Sequence, residues 1–177
     1  MSEASALRVD EIVAVLESGA DRPLGPGVPV TQLDHALQTA AVLRRDHPDD
    51  VELAVAGLVH DVGQLLPGAR DETHATAGAA VVRGALGERV AGIVALHVEA
   101  KRYLVATDAN YEVRLTDDSV VSLGRQGGSL DPAQASAFLA RPWAADAVTL
   151  RRADDGAKVL GLEVADLDEW VPLLRQV

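Results

Sequence analysis

A chain of 177 residues with a formal charge of -11, 48% apolar but only 3% aromatic, is long enough for one domain with a leucine, valine and alanine core, burying roughly 70% of its unfolded surface. It has no cysteine, which excludes disulfides, thiolate metal sites and a cysteine nucleophile, and its negative charge opposes nucleic acid and anionic membranes. No signal-like segment and no apolar run near ~20 residues is present, so a cytoplasmic soluble protein is expected.

Ser5 to Ser18 places Leu7, Ile12, Val13 and Leu16 at helical spacing, with Gly19 as its stop. Asp21 to Val30 holds three prolines and two glycines and reads as a loop. Thr31 followed by Asp34 predicts a capping box opening a helix to about Arg45, with Leu33, Leu37, Ala40 and Ala41 as its apolar stripe and His35 near its start. Asp49 or Asp50 caps the next helix, whose apolar run from Val51 to Val62 carries His60 and Asp61 near its end, before Gly63.

Thr73 to Leu86 and Glu88 to Thr107 form two helices separated by Gly87, bearing His74 and His97. Thr116 to about Arg125, Asp131 to Ala140 and Trp143 to about Lys158 are shorter helices, and Asp166 to Leu174 is the last. Strand alternation and internal repeats are absent, so the expectation is a single all-α domain.

Of the five histidines, His47 sits between Asp46 and Pro48 in a charged turn and reads as exposed. His60-Asp61 differs, because it follows Ala54-Val55-Ala56-Gly57-Leu58-Val59 and is carried inside with it. A buried charge must be paired or coordinate a metal. Imidazole and carboxylate without sulfur suit iron, manganese or zinc. For His35, His74, His97 and for Asp154, in Arg151-Arg152-Ala153-Asp154-Asp155, each residue alone admits a bland reading as core, surface or helix end.

Their order decides otherwise. One His, then His-Asp, two further Hises and a distant Asp resemble the ligand order of the HD superfamily. Val30 to Gln38, His97 to Leu104, Ser119 to Leu123 and Gln126-Gly127-Gly128 resemble segments of its mixed-valent diiron oxygenases, relatives of myo-inositol oxygenase, and above all their bacterial phosphonate-cleaving branch. The resemblance implies an all-helical HD domain holding two iron ions, Fe(II)/Fe(III), on His35, His60, Asp61, His74, His97 and Asp154. It implies dioxygen as co-substrate, Asp61 and Lys101 as catalytic residues, and Lys101, Ser119, Ser122, Gln126 and Arg151 as contacts to a small anionic substrate, a phosphonate. These donors suit three anionic oxygens, and Lys101 stands one helical turn from His97.

Three positions depart from the pattern. Members acting on aminated phosphonates carry a Tyr and a Glu in the loop before the first ligand, and the family's His-Asp motif usually continues to a further His. The matching residues here are Gly25, Val28 and Gln64. A substrate without a primary amine is therefore expected; otherwise another acid, such as Asp34 or Glu99, must take the Glu's place. A metal-dependent phosphohydrolase on the same core and a non-catalytic ligand-binding domain are the alternatives.

Overall fold

The computed structural model describes residues 6–28 and 30–177. Helix α1 spans Val9–Glu17, α2 Gln32–Asp46, α3 Val51–Val59, α4 Val62–Leu65 and α5 His74–Thr107. A 3-10 turn at Glu112–Arg114 leads to α6 (Asp117–Arg125), α7 (Pro132–Leu139), α8 (Ala144–Gly156) and α9 (Leu167–Leu174). Among the described residues no strand forms beyond an isolated bridge between Pro23 and Thr31. No described helix is long and apolar enough to cross a membrane.

The expected caps form. Thr31 Oγ1 accepts the Asp34 N–H at 3.1 Å while Asp34 Oδ2 accepts the Thr31 N–H at 3.0 Å, starting α2 four residues before His35. Asp50 accepts the Leu53 N–H at 3.0 Å and starts α3. Each cap satisfies donors that a helix start leaves open. The first helix begins at Val9, later than its periodicity predicts, with Ser5 outside the described residues.

Helix α3 is the centre of the molecule. Leu53 to Val59 are all buried, and α2, α5 and α8 pack around them. The apolar run predicts one helix through Val62; instead α3 ends at Val59, and Asp61, at φ -100 and ψ 10, opens the short α4. That sparsely populated backbone region is common at functional residues. The break turns His60 and Asp61 toward one point.

Gly87 divides α5 with φ 79, a left-handed conformation that glycine adopts freely. Its two arms carry His74 and His97 at opposite ends of the bend. Among the described glycines Gly63 permits the tightest approach to backbone: a Cβ there would lie 2.0 Å from the His74 carbonyl oxygen. Only a glycine lets α4 rest directly on the start of α5.

Candidate metal centre and anion pocket

Three helices and the break between two others deliver the six sequence-selected residues to one place. His35 comes from α2, His60 and Asp61 from the α3–α4 break, His74 and His97 from α5, and Asp154 from α8. His35, His60, His74, His97 and Asp154 are all buried, while His47 is exposed at the end of α2, as its charged setting predicts. Asp61 lies between two groups: one oxygen is 3.6 Å from His60 Nε2, the other 3.2 Å from His74 Nε2 and 3.4 Å from His97 Nε2. Asp154 stands on the far side, with Oδ1 3.2 Å from His35 Nε2 and Oδ2 3.8 Å from His60 Nε2.

The backbone fixes the protonation of all four imidazoles. The Nδ1–H groups of His35, His60, His74 and His97 donate to the carbonyls of Ala157, Gly57, Asp71 and Val94 at 2.8, 2.7, 2.9 and 2.7 Å. Each Nε2 therefore presents a lone pair inward, the arrangement usual for a metal-ligating histidine. The Nε2 atoms of His35 and His60 are 3.3 Å apart and those of His74 and His97 3.0 Å. Two lone pairs facing each other at such distances repel unless a cation lies between them. The donors thus divide into His35, His60 and Asp61, with Asp154 beside them, and Asp61, His74 and His97. Both sets fit a metal ion, and Asp61 belongs to both.

The electrostatics agree at His60 and the carboxylates, whereas at His74 burial is outweighed by the hydrogen bond and charge of Asp61, which push the imidazole up, so a metal ion competes with a proton there. Burial pushes the His60 imidazole down to about 4, against the attraction of Asp61 and Asp154, so it is neutral and available as a ligand. Burial opposes charge on Asp61, but His60 and the hydrogen bonds of His74 and His97 outweigh it and hold the carboxyl well below its usual range. Asp154 is likewise held low, burial being overcome first by Arg151 and then by Lys158 and His35.

A cavity of about 280 Å³ opens on this cluster. Lys101, Ser119, Ser122, Gln126 and Arg151, the expected anion contacts, all line it, together with Gly25, Val28 and Gln64. Lys101 is 3% exposed and donates to Ser122 Oγ at 2.7 Å. Gln126 Nε2 donates to the Asp71 carbonyl at 3.3 Å, while its buried Oε1 has no partner, an acceptor left for a bound molecule. Arg151 is more heavily engaged than the sequence suggests: it pairs with Asp154 at 2.5 Å, with Asp155, and with the Tyr111 hydroxyl at 3.1 Å.

The acids proposed from sequence for an amine lie elsewhere. Asp34 caps α2 and Glu99 pairs with Arg141. The additional carboxylates that reach the cavity are Asp71, held by Arg125 at 2.7 Å, and Asp118. Asp118 occupies the space in front of Gly25, where a Cβ would lie 1.7 Å from its Oδ2. Lys158, 3.7 Å from Asp154, and Arg125 add positive charge to the lining. Sequence reading missed Tyr111, Asp118, Asp155 and Lys158. The spacing of Lys158 four residues after Asp154 was a usable signal; Tyr111 and Asp118 arrive from separate segments and offered none.

Comparison with known proteins follows the same lines. A sequence model of the family described as myo-inositol oxygenase matches residues 2–88. The hydroxymethylphosphonate dioxygenase of Gimesia maris is 41% identical over 150 residues, 80% of this chain and 74% of that protein. The [1-hydroxy-2-(trimethylamino)ethyl]phosphonate dioxygenase (glycine-betaine-forming) of Leisingera caerulea is 30% identical over 159 residues, 85% of this chain and 81% of that one. Inositol oxygenase 1 of Arabidopsis thaliana is 44% identical over 41 residues, 23% of this chain and 13% of that protein.

Proposed function

The chain belongs to the HD-superfamily dioxygenases that include these two phosphonate dioxygenases, and from that footing we propose that it is an iron enzyme that uses dioxygen to cleave the carbon–phosphorus bond of a small 1-hydroxyphosphonate. Two iron ions, in a mixed-valent Fe(II)/Fe(III) state, would be held by His35, His60, Asp61, His74, His97 and Asp154. The observation that carries this reading is the convergence of the Nε2 atoms of His60, His74 and His97 on the two oxygens of Asp61, with His35 Nε2 within 4.8 Å, beside a cavity lined by Lys101 and Arg151. When bound, the iron pair would supply dioxygen activation and a Lewis-acid position for the substrate hydroxyl.

The protein's own contribution is placement. Lys101 retains ammonium N–H groups beyond the one given to Ser122, and Arg151 retains two of its five beyond those given to Asp154, Asp155 and Tyr111. These and the hydroxyl of Ser119 would hold the phosphonate oxygens, with Gln126 Oε1 accepting from a protonated one. The anion so fixed turns its hydroxylated carbon toward Asp61. Leu24, Pro26 and Val28 form an apolar wall on the loop side, which limits water around the reacting carbon.

The net reaction balances as a 1-hydroxyphosphonate plus O2 giving a carboxylate, inorganic phosphate and one proton. The carbon loses four electrons and dioxygen accepts four, so no external reductant is consumed per turnover. The substrate we favour has a short tail without an amine. The Gimesia relative is named for a phosphonate with no tail, and Val28 offers an amine no acceptor, while an unpaired buried ammonium costs several kcal/mol. The experiment is phosphate release by iron-loaded protein in oxygen from 1-hydroxyphosphonates that differ only in the tail. Hydroxymethylphosphonate should be turned over best; preference for 2-amino-1-hydroxyethylphosphonate would overturn the tail assignment and point to Asp118.

A further inference from the structure

Tyr111 and Asp155 close a ring around Arg151. The Arg151 Nε–H donates to the Tyr111 hydroxyl at 3.1 Å, the Tyr111 O–H donates to Asp155, and Asp155 accepts Arg151 Nη2 on its other oxygen. Nη1 meanwhile donates to Asp154 Oδ2 at 2.5 Å. Tyr111 is 3% and Arg151 6% exposed, so these two are shielded from water, while the Asp155 side chain, 20% exposed, closes the ring from the half-buried side. Three contacts on three nitrogens leave the planar guanidinium no rotation, so the two N–H groups not used, one on each Nη, are fixed in direction.

Charge explains why a second carboxylate is needed. The cavity already holds Lys101 and Lys158 as well as Arg151, and Asp154 must share its charge with whatever cation the histidines take. Without Asp155 the guanidinium would face that positive field with a partner whose charge is already shared. Tyr111 enters from the segment after α5, the helix that bears Lys101, whereas Arg151 and Asp155 belong to α8. The hydroxyl therefore ties the two cation-bearing helices together at the cavity.

We propose that Tyr111 and Asp155 are positioning residues that hold the Arg151 guanidinium plane so that its two spare N–H groups clamp the phosphonate, an inference that rests on the phosphonate reading above. Neither residue touches the substrate; both act through Arg151. Their loss should raise the Michaelis constant more than it lowers turnover, since the clamp is used in the ground state as well as the transition state.

The test uses methylphosphonate, which lacks the hydroxyl and does not turn over, titrated calorimetrically into iron-loaded protein without oxygen. Tyr111→Phe and Asp155→Asn should each keep the parent's iron content and weaken methylphosphonate about tenfold. In an Arg151→Ala background, compared at equal iron content among the Arg151→Ala proteins, the same changes should weaken it no further, because the residue they act through is gone. Parent-like affinity in both variants, or equal weakening with and without Arg151, would overturn the proposal. Failure of the parent itself to bind methylphosphonate would overturn the phosphonate reading and this inference with it, a result distinct from a binding parent with indifferent variants.

Discussion

Arg151 Nη1 lies 2.5 Å from Asp154 Oδ2, while Oδ1 faces the histidine cluster, 3.2 Å from His35 Nε2 and 3.7 Å from Lys158 Nζ. The arginine balances the carboxylate's charge and would leave Asp154 one oxygen to offer a metal ion. Arg151→Ala strands a buried carboxylate, a loss of about 3 to 5 kcal/mol. The melting temperature of the variant should fall by several degrees and its metal content should drop on the His35 side; a parent-like melting curve with full metal would contradict this role.

Asp61 is shared by both donor sets, so its removal should cost more than that of any single histidine. Asp61→Ala is expected to lose at least one metal ion and essentially all activity, as read by elemental analysis and phosphate release. Two ions retained in that variant would contradict the shared-carboxylate geometry.

Lys101 gives a pH signature with two opposed parts. Burial, reinforced by Arg151, pushes its ammonium down from 10.5 to about 8. Below about 8 the ammonium is present; as pH rises through that value it is lost, and anion affinity should fall. Over the window from about 8 to 10.5 the unfolded chain binds the extra proton, so the ligand-free fold should gain stability as affinity declines. Lys101→Ala should flatten both profiles and raise the Michaelis constant by an amount equivalent to about 2 to 5 kcal/mol, with metal content unchanged. A parent-like Michaelis constant would place Lys101 outside the clamp.

Two glycines make contrasting predictions. Gly63→Ala drives a Cβ to 2.0 Å from the His74 carbonyl oxygen, backbone that cannot yield, and should cost about 3 kcal/mol or more with loss of metal at His74. Gly25→Ala meets the Asp118 carboxylate at 1.7 Å, the end of a side chain that can rotate away. Its melting temperature should stay near the parent's while preference among substrate tails changes; an unchanged tail preference would show that Asp118 does not help shape the cavity.

Much of this centre was legible from the chain alone. The capping box at Thr31 and Asp34, the cap at Asp50 and the apolar run before His60 are local signals, and each forms as its local chemistry dictates. The order of the remaining histidines and Asp154 along the chain, through the resemblance it carries, picked out the other residues that converge there. The break between His60 and Asp61 was not legible, because the hydrophobic run continues through Val62 and the turn is imposed by packing of α4 onto α5 through Gly63. The partners of Arg151 were hidden for a related reason: Asp155 reads as a solvated neighbour of Asp154, and Tyr111 comes from a segment with no periodicity, 40 residues away in the chain. The acid near the cavity mouth was misplaced onto Asp34 and Glu99, which a helix cap and an arginine occupy instead.

The most direct test of the central claim is the stoichiometry of oxygen use with hydroxymethylphosphonate. Iron-loaded protein should release one phosphate for each O2 consumed and none under anaerobic conditions after any residual oxygen is spent. Phosphate released at the same rate without oxygen would assign the centre to hydrolysis, and oxygen consumed with no phosphate formed would remove the carbon–phosphorus bond from its chemistry.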